Sequence, residues 1–378
     1  MNVGIDISSV VYGRGVSRYT SNLVAALMEE KMQVSMYGSN LRQHPQLQYF
    51  LRHIEKKYST PIDHVFEFIP PKILSFLWHT LELHPVKKVL PKIDVFHSWD
   101  WLQPPDANLP LVSTIHDLAI LKFPESAHPG IAAQHQKSWE ILKKKQARII
   151  AVSAATKKDI VQLLGYPSYL VDVVHEALPR EVRDINMSLT EEKFDALKSS
   201  LGLTKPYIFF VGTREPRKNL ATLIQAWKPL QADVDLLIAG EKGWDASETI
   251  TAPGLRFLGK VSDQELSVLY AEAEAFVYPS LYEGFGLPIL EAFHHGTPVI
   301  TSNNSSMIEV AGNAAEFVEP TDTQALTVAI SKVLSETKEQ QQKRLQRMII
   351  RLQMFSWKRV AKETITVYQK AIRDYAQR

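Results

Sequence analysis

Short apolar runs alternate with stretches whose apolar positions recur at helical spacing. Val3 to Ile7 is a short apolar run and Ser8 to Val16 is turn-rich; Leu23, Leu27 and Met28 fall on one helical face before the next run, Val34 to Tyr37. That pattern predicts a β-α-β unit. Further strand-like runs stand at Asp94 to His97, Leu111 to Ile115 and Arg148 to Val152, with a helical segment from Ile131 to Lys145. Continuous apolar strands separated by helices predict a parallel sheet covered on both faces. From Leu178 to Lys205 the chain is polar and charged with no strand-like run, which suits a connector between domains. The alternation then restarts with Tyr207 to Val211, a helix over Leu220 to Trp227, Val234 to Ala239, Leu255 to Leu258, and Ala275 to Tyr278. Ser262 and Glu265 form a capping-box pattern before the helix Leu266 to Ala273, and the end of the chain, Lys338 to Arg378, reads as helix. The expected fold class is α/β, with two doubly wound halves.

Composition narrows the classes of function. At 378 residues the chain has the length of two domains, or three small ones, and 45% hydrophobic with 22% charged residues is ordinary globular material. The 43 basic against 41 acidic residues leave a net charge of +2, so nucleic acid is not the expected partner. There is no cysteine, which excludes disulfides, thiolate metal sites and a thiol nucleophile. Neither a signal-like N-terminus nor an uncharged apolar run near twenty residues is present, and the expected localisation is cytoplasmic, extending to the inner face of the membrane.

In open α/β sheets ligands bind beyond the carboxyl ends of the strands, so the loops after the strand runs are where chemistry is sought. The first is Tyr12-Gly13-Arg14-Gly15-Val16-Ser17-Arg18. It half-matches a dinucleotide fingerprint, but Arg18 replaces the third glycine and no acid ends the second strand, which disfavours nicotinamide or flavin. What remains is a loop at a helix start that can approach a phosphate closely; a simple tight turn accounts for it equally well. The second loop, Gly212 to Asn219, carries Arg217 and Lys218 just before a helix for which Asn219 is the expected N-cap. Cations there oppose the helix dipole, and a diphosphate would reward them, although solvated surface charge is the bland alternative. The third is Tyr278 to Glu291. Pro288 suits a first helical turn, which puts Gly284, Phe285, Gly286 and Leu287 in the approach with N–H groups to offer an anion, Glu283 on the loop and Glu291 in the first turn.

The segment Glu283 to Glu291, with Tyr278-Pro279-Ser280 before it and Gly-Phe-Gly-Leu-Pro within it, resembles the signature of the family-four retaining glycosyltransferases of GT-B fold. The resemblance spans the chain. Val16-Ser17-Arg18-Tyr19, Thr114-Ile115-His116-Asp117-Leu118, Val152-Ser153-Ala154-Ala155-Thr156, the Gly212 to Asn219 loop and Glu309-Val310-Ala311-Gly312 follow in the family's order. Among its members the chain looks most like the bacterial mannosyl- and rhamnosyltransferases of polysaccharide assembly. The resemblance implies two Rossmann-like domains facing across a cleft. Residues 1–180, joined by a C-terminal helix at 357–378 that crosses back, would bind acceptor, and residues 200–356 would bind a nucleotide sugar.

By the same resemblance Arg217 and Lys218 meet the donor diphosphate. Many relatives carry the phosphate arginine where this chain has Thr213, so either Arg214 or Arg217 takes its place, and Arg217 is favoured. Glu283 would meet hydroxyls of the transferred sugar, backbone N–H groups from Gly284 to Leu287 the sugar and phosphate, Glu291 the ribose, and His116 the sugar from the first domain. Gly13, Gly15 and Thr213 are expected to border the donor. A histidine at a strand end bonded to local backbone is the plainer account of His116.

The implied reaction moves a hexose of mannose, rhamnose or glucose type from a GDP- or UDP-sugar to a glycan or lipid-linked acceptor. No cofactor or metal is expected: cations and N–H dipoles can stabilise the leaving group, and the only D-x-D, Asp233-Val234-Asp235, opens an apolar strand at the wrong end of the sheet. No obvious carboxylate nucleophile presents itself, so retention is expected by a front-face path. Lys72 to Leu90, with Ile73, Leu74, Phe76, Leu77, Trp78, Leu81, Lys87 and Lys88, could rest on an anionic membrane, or be a core helix with a loop. His97-Ser98-Trp99-Asp100-Trp101 could stack on sugar rings, or lie in the core. A sugar-nucleotide epimerase of the same build, a pyridoxal-dependent glycan phosphorylase and a non-catalytic nucleotide-sugar binder are the rival readings.

Overall fold

The computed structural model describes residues 1–13, 15–126, 129–243 and 250–378, with side chains left undescribed at 126, 129 and 186–188. Arg14 of the opening loop lies outside the described residues. The chain forms two compact units, Met1–Glu176 with Trp357–Arg378, and Ala177–Ser356.

The first unit is built on seven parallel strands: β1 (Asn2–Asp6), β2 (Gln33–Ser39), β3 (His64–Glu67), β4 (Val95–Trp99), β5 (Leu111–Ile115), β6 (Arg148–Ala151) and β7 (Val171–Val173). Their order is β3-β2-β1-β4-β5-β6-β7. The chain winds outward from β1 in one direction and from β4 in the other, so the crevice of this sheet opens where those two strands end. β1, β4, β5 and β6 are buried along their whole length, which is why they read as unbroken apolar runs.

Six parallel strands form the second unit: β8 (Tyr207–Val211), β9 (Asp235–Ala239), β10 (Leu255–Gly259), β11 (Ala275–Tyr278), β12 (Val299–Ser302) and β13 (Glu316–Val318), in the order β10-β9-β8-β11-β12-β13. The switch point falls between β8 and β11. The Gly212 and Pro279 loops follow those two strands. Asp235 opens β9, so the D-x-D lies at the opposite end of the sheet.

Several sequence expectations need correction. Strands β3, β7, β12 and β13 were not anticipated; each has only three or four residues, and three of them are sheet edges whose half-exposed positions blur the apolar signal. The segment 178–205 is no mere connector. It folds into the helices Arg180–Ser188 and Glu191–Ser200, both packed against the helix Asp263–Ala271. The second has no buried residue, so its composition imitates a linker. Thr190 caps it by accepting from the Lys193 N–H. The Ser262/Glu265 capping box is present and opens Asp263–Ala271.

His97, Ser98 and Trp99 lie within β4 and not after it. Trp99 is fully buried, and its indole N–H donates to the Asp6 carbonyl at 2.7 Å, so it belongs to the core and offers no face to a sugar. In the 72–90 segment the helix Pro71–His79 turns Leu74 and Trp78 inward and leaves Ile73 and Phe76 exposed, as are Leu81 and Leu83 beyond it. Lys87 is tied to the Ile93 carbonyl, whereas Lys72 and Lys88 are exposed.

The helical end of the chain is two helices, Lys338–Gln353 in the second unit and Trp357–Ala376 in the first. The latter packs on the helix Gly15–Glu29 and on β4, β5 and β6. Its Tyr368 hydroxyl lies 2.7 Å from His97 Nδ1, whose other ring nitrogen is 2.8 Å from Thr114 Oγ1. Burial, helped by nearby His116, pushes the His97 imidazole down to about 3, so the ring is neutral and both nitrogens need these partners. Asp374 and Lys370 on the same helix pair with Arg148 and Asp172. Tyr368→Phe leaves a buried ring nitrogen unsatisfied, and urea unfolding should show a loss of about 1–3 kcal/mol; an unchanged midpoint would mean that the pair contributes nothing.

Candidate active site

In the second unit, three sequence-distant pieces converge at the heads of β8 and β11. After β8 the chain passes Gly212 and Thr213, whose side chain is exposed, then forms a single 3-10 turn, Pro216–Lys218. That turn presents Arg217 and Lys218 to the loop after β11. One arm of the Arg217 guanidinium donates to Glu283 Oε2 at 2.9 Å and to the Tyr282 carbonyl at 3.0 Å, and its other arm lies 2.7 Å from Glu215 Oε1. Lys218 Nζ donates to Glu283 Oε1 at 2.6 Å and to the Tyr278 hydroxyl at 2.8 Å. One carboxylate thus bridges two cations, all of it nearly buried.

The electrostatics follow from that geometry. Burial opposes ionisation of Glu283, but Lys218 and Arg217 more than offset it and hold the carboxyl at about 2. Burial pulls the Lys218 ammonium below its usual range, with Glu283 acting in the other direction. The two cations are not free charges awaiting an anion, as their sequence position suggested: Glu283 and Glu215 match them one for one.

Asn219 corrects a second expectation. It occupies the N-cap position of the helix Leu220–Trp227 in left-handed conformation, yet its side chain makes no cap bond. Its amide donates to the carbonyls of Pro279 and Pro320 and its oxygen accepts from Thr222 Oγ1, so it laces the two loops together. The Leu281 N–H, donating to the Arg217 carbonyl at 2.7 Å, adds a backbone tie.

The glycine loop leads into the helix Leu287–His294, with Pro288 in its first turn. Gly286 has φ +105°, a conformation that L side chains rarely adopt. Gly284 and Phe285 each have a partner within the protein. The Phe285 ring is buried edge-on against Phe355 at 5.7 Å and anchors the loop from below. Glu291 is the fifth residue of this helix and lies just past the first turn in which it was expected. It is buried, and its Oε2 accepts from the Tyr270 hydroxyl at 3.0 Å.

His116 follows β5 in the first unit. Its ring stands edge-on to Tyr19, 4.8 Å between centroids, and nearly parallel to Trp99 at 6.4 Å. Nδ1 lies 2.8 Å from Glu176 Oε1, so the partner is a side chain and not local backbone. Also in this unit, Gly13 ends a 3-10 turn and Gly15 opens the helix Gly15–Glu29; a Cβ at either would meet nothing within 4 Å among the described residues.

Comparison with known proteins matches this layout unit by unit. The model of glycosyltransferase family 4 matches residues 13–181, and that of glycosyl transferases group 1 matches residues 192–349. O-antigen chain mannosyltransferase B of Escherichia coli is 33% identical over 270 residues, covering 68% of this chain and 70% of that protein. The chain belongs to the family-four glycosyltransferases. The solved glycosyltransferase of Rickettsia africae, 17% identical with 98% of each chain covered, superposes with a TM-score of 0.70. Anabaena HepE in complex with UDP and glucose gives 0.68 at 17% identity, covering 98% of this chain and 100% of that one. The fold is the two-domain Rossmann-like GT-B architecture, and the enzyme is a glycosyltransferase.

The structure brings Arg217, Lys218 and Glu283 into one cluster. The Arg214 guanidinium lies 5.2 Å over the Phe257 ring. Sequence reasoning missed the elements that brace the enzyme's loops. Ser305 Oγ and Ser306 Oγ both donate to the Glu283 carbonyl, at 2.6 and 2.9 Å, and Ser306 also donates to that of Phe285. They follow β12, and the rule of searching beyond strand ends would have found them had that strand been recognised.

Gly240, directly after β9, was missed too. It has φ +135°, and a Cβ there would lie 1.9 Å from the Gly212 carbonyl oxygen. Only glycine lets the cationic loop leave β8 at that place. Gly240→Ala is therefore expected to displace residues 212–218 and cut turnover by at least about tenfold while circular dichroism stays native-like; unaltered kinetics would mean that the loop tolerates the shift.

Proposed function

We propose that the enzyme is a retaining, metal-independent hexosyltransferase that moves mannose from a nucleotide-diphosphate sugar to a glycan or lipid-linked acceptor of polysaccharide assembly. One observation carries the reading: a buried Arg217–Glu283–Lys218 cluster at the switch point of the second sheet, where a nucleotide ligand of a doubly wound domain binds. The choice of mannose follows the mannosyltransferase that the chain resembles over two thirds of its length. Expectations of a rhamnose or glucose donor and of a GDP- or UDP-sugar remain alternatives within the same reading.

In the proposed step the donor diphosphate takes over the two cations. Arg217 offers a planar fork and Lys218 a point charge, and Glu283, released from them, accepts hydrogen bonds from hydroxyls of the sugar. The helix start at Leu287 adds N–H dipoles aimed at the same anion, and Glu291, steadied by Tyr270, takes the ribose hydroxyls. His116 meets the transferred sugar. As the bond from the anomeric carbon to the diphosphate oxygen breaks, the acceptor oxygen bonds that carbon on the same face and its proton passes to the leaving phosphate. Charge on the leaving group is met by side chains, so no divalent ion is needed, and the D-x-D stands at the far end of the sheet.

The test is incubation with a panel of GDP- and UDP-hexoses and lipid-linked acceptors, with and without EDTA, read by mass spectrometry. Transfer from a mannose donor, unaffected by EDTA, is expected. Glu283→Ala and Lys218→Ala should each lower kcat by at least about a hundredfold with the fold intact. Free sugar or an epimer without transfer would favour an epimerase, and calorimetric binding without turnover would favour a silent binder.

The exposed Phe68, Ile73, Phe76, Leu81 and Leu83, with Lys72 and Lys88 nearby, support contact with the inner face of an anionic membrane. Among the described residues no helix is long and apolar enough to cross one. The enzyme is expected to float with vesicles containing phosphatidylglycerol and to stay behind when Ile73 and Phe76 are both changed to Asp; absence of the unaltered enzyme from the vesicle fraction would reject the contact.

A further inference from the structure

In the first unit, four side chains from four separate segments meet, three of them enclosing the imidazole of the fourth. Tyr19 comes from the helix Gly15–Glu29, Trp99 from β4, His116 from the end of β5, and Glu176 from just beyond β7. The rings of Tyr19 and Trp99 leave the His116 ring little freedom to tilt. Flipping about its own axis is restrained by one polar contact, Nδ1 to Glu176 Oε1 at 2.8 Å. Glu176 is itself buried, at 5% exposure. The opposite nitrogen, Nε2, is buried and meets no hydrogen-bond partner among the described residues. A buried polar atom without a partner, on a ring held this firmly, marks a place reserved for a group that the protein does not supply.

We propose that Glu176 is a positioning residue for His116: its carboxylate accepts a hydrogen bond from the Nδ1–H, fixing the ring so that Nε2 is the atom presented to the transferred sugar. The proposal rests on His116 meeting the sugar, as set out for the reaction above. A carboxylate can only accept, so Nδ1 must carry the proton. Nε2 then accepts from a sugar hydroxyl when the ring is neutral and donates to a sugar oxygen when it is charged.

Charge acts in the same direction. Burial disfavours the imidazolium, but the hydrogen bond and charge of Glu176, followed by Asp100 and Asp117, outweigh it and raise His116 above its usual range. The two aspartates are turned to other tasks. Asp117 Oδ1 accepts from the Ala119 N–H, and Asp100 Oδ2 lies 3.5 Å from His135 Nδ1. His97 on β4 is held neutral by burial, and Tyr19 stays a phenol because burial raises it. Among the described residues, Glu176 is thus the acid in contact with the ring. Nothing in the local sequence advertises this, since the two residues are sixty positions apart.

The experiment combines nitrogen-15 NMR of labelled histidine with a double-mutant cycle on the full-length enzyme. Glu176→Gln keeps the shape and one acceptor but removes the charge, and Glu176→Ala removes both. The His116 titration should move down by about one pH unit or more in Glu176→Gln. Glu176→Ala should lower kcat about tenfold or more with KM within about twofold, yet lower it less than about threefold further in a His116→Ala background. The proposal is overturned if the His116 titration and nitrogen shifts do not move, or if both Glu176 variants do equal damage with and without His116. A near-normal His116→Ala enzyme would overturn it differently, by removing His116 from the reaction; a crippled His116→Ala beside near-normal Glu176 variants would overturn the role of Glu176 alone.

Discussion

A single buried carboxylate organises the second unit. Glu283 holds Arg217 with one oxygen and Lys218 with the other, and these three side chains come from loops more than sixty residues apart. Desolvating three charges is expensive, and removing one member of such a group typically costs about 3–5 kcal/mol because the others are left uncompensated. The arrangement is tolerable only while charge is matched inside the cluster. That constraint explains the surrounding construction: Asn219 tying the two loops, Ser305 and Ser306 gripping the Glu283 carbonyl, the Tyr278 hydroxyl accepting from Lys218, and Gly240 yielding room for the Gly212 backbone.

A matched cluster is also a store of binding capacity for an anion. In the reaction proposed above, a diphosphate would replace Glu283 at the two cations, exchanging one buried negative group for another. The freed carboxylate would then become an acceptor for hydroxyl groups in the same place, so that binding of the phosphate portion and engagement of the sugar would follow from one rearrangement.

The first unit solves a different problem with similar means. Its polar centre is an imidazole wedged between aromatic rings and steered by one acid, beside a second histidine that burial keeps neutral and that anchors the last helix through Tyr368. The chain leaves the second unit after Ser356, and its final helix completes the fold of the first. Two histidines, His97 within β4 and His116 just after β5, thus have opposite charge tendencies: His97 faces hydroxyl groups, whereas His116 faces a carboxylate.

The parallel sheets, the central strands and the loops bearing Arg217 and Glu283 could be read from the amino-acid order alone, whereas His116 was singled out by the family resemblance. Buried strands must be apolar throughout, and the loops that follow them stand out by their glycine, proline and charge. Short edge strands such as β3 and β7 could not, since half-exposed residues carry no periodic signal. The polar helix Glu191–Ser200 passed for a linker because burial, absent there, is what makes a helix visible in a sequence. Which charges face each other was decided by the tertiary structure. The pairing of Glu283 with two cations, the hold of Glu176 on His116, the placing of Trp99 in the core and the contact of Gly240 with Gly212 all join residues remote along the chain. Electrostatic and steric forces act over a few ångströms of space, and sequence distance leaves no imprint of that proximity until the sheets have formed.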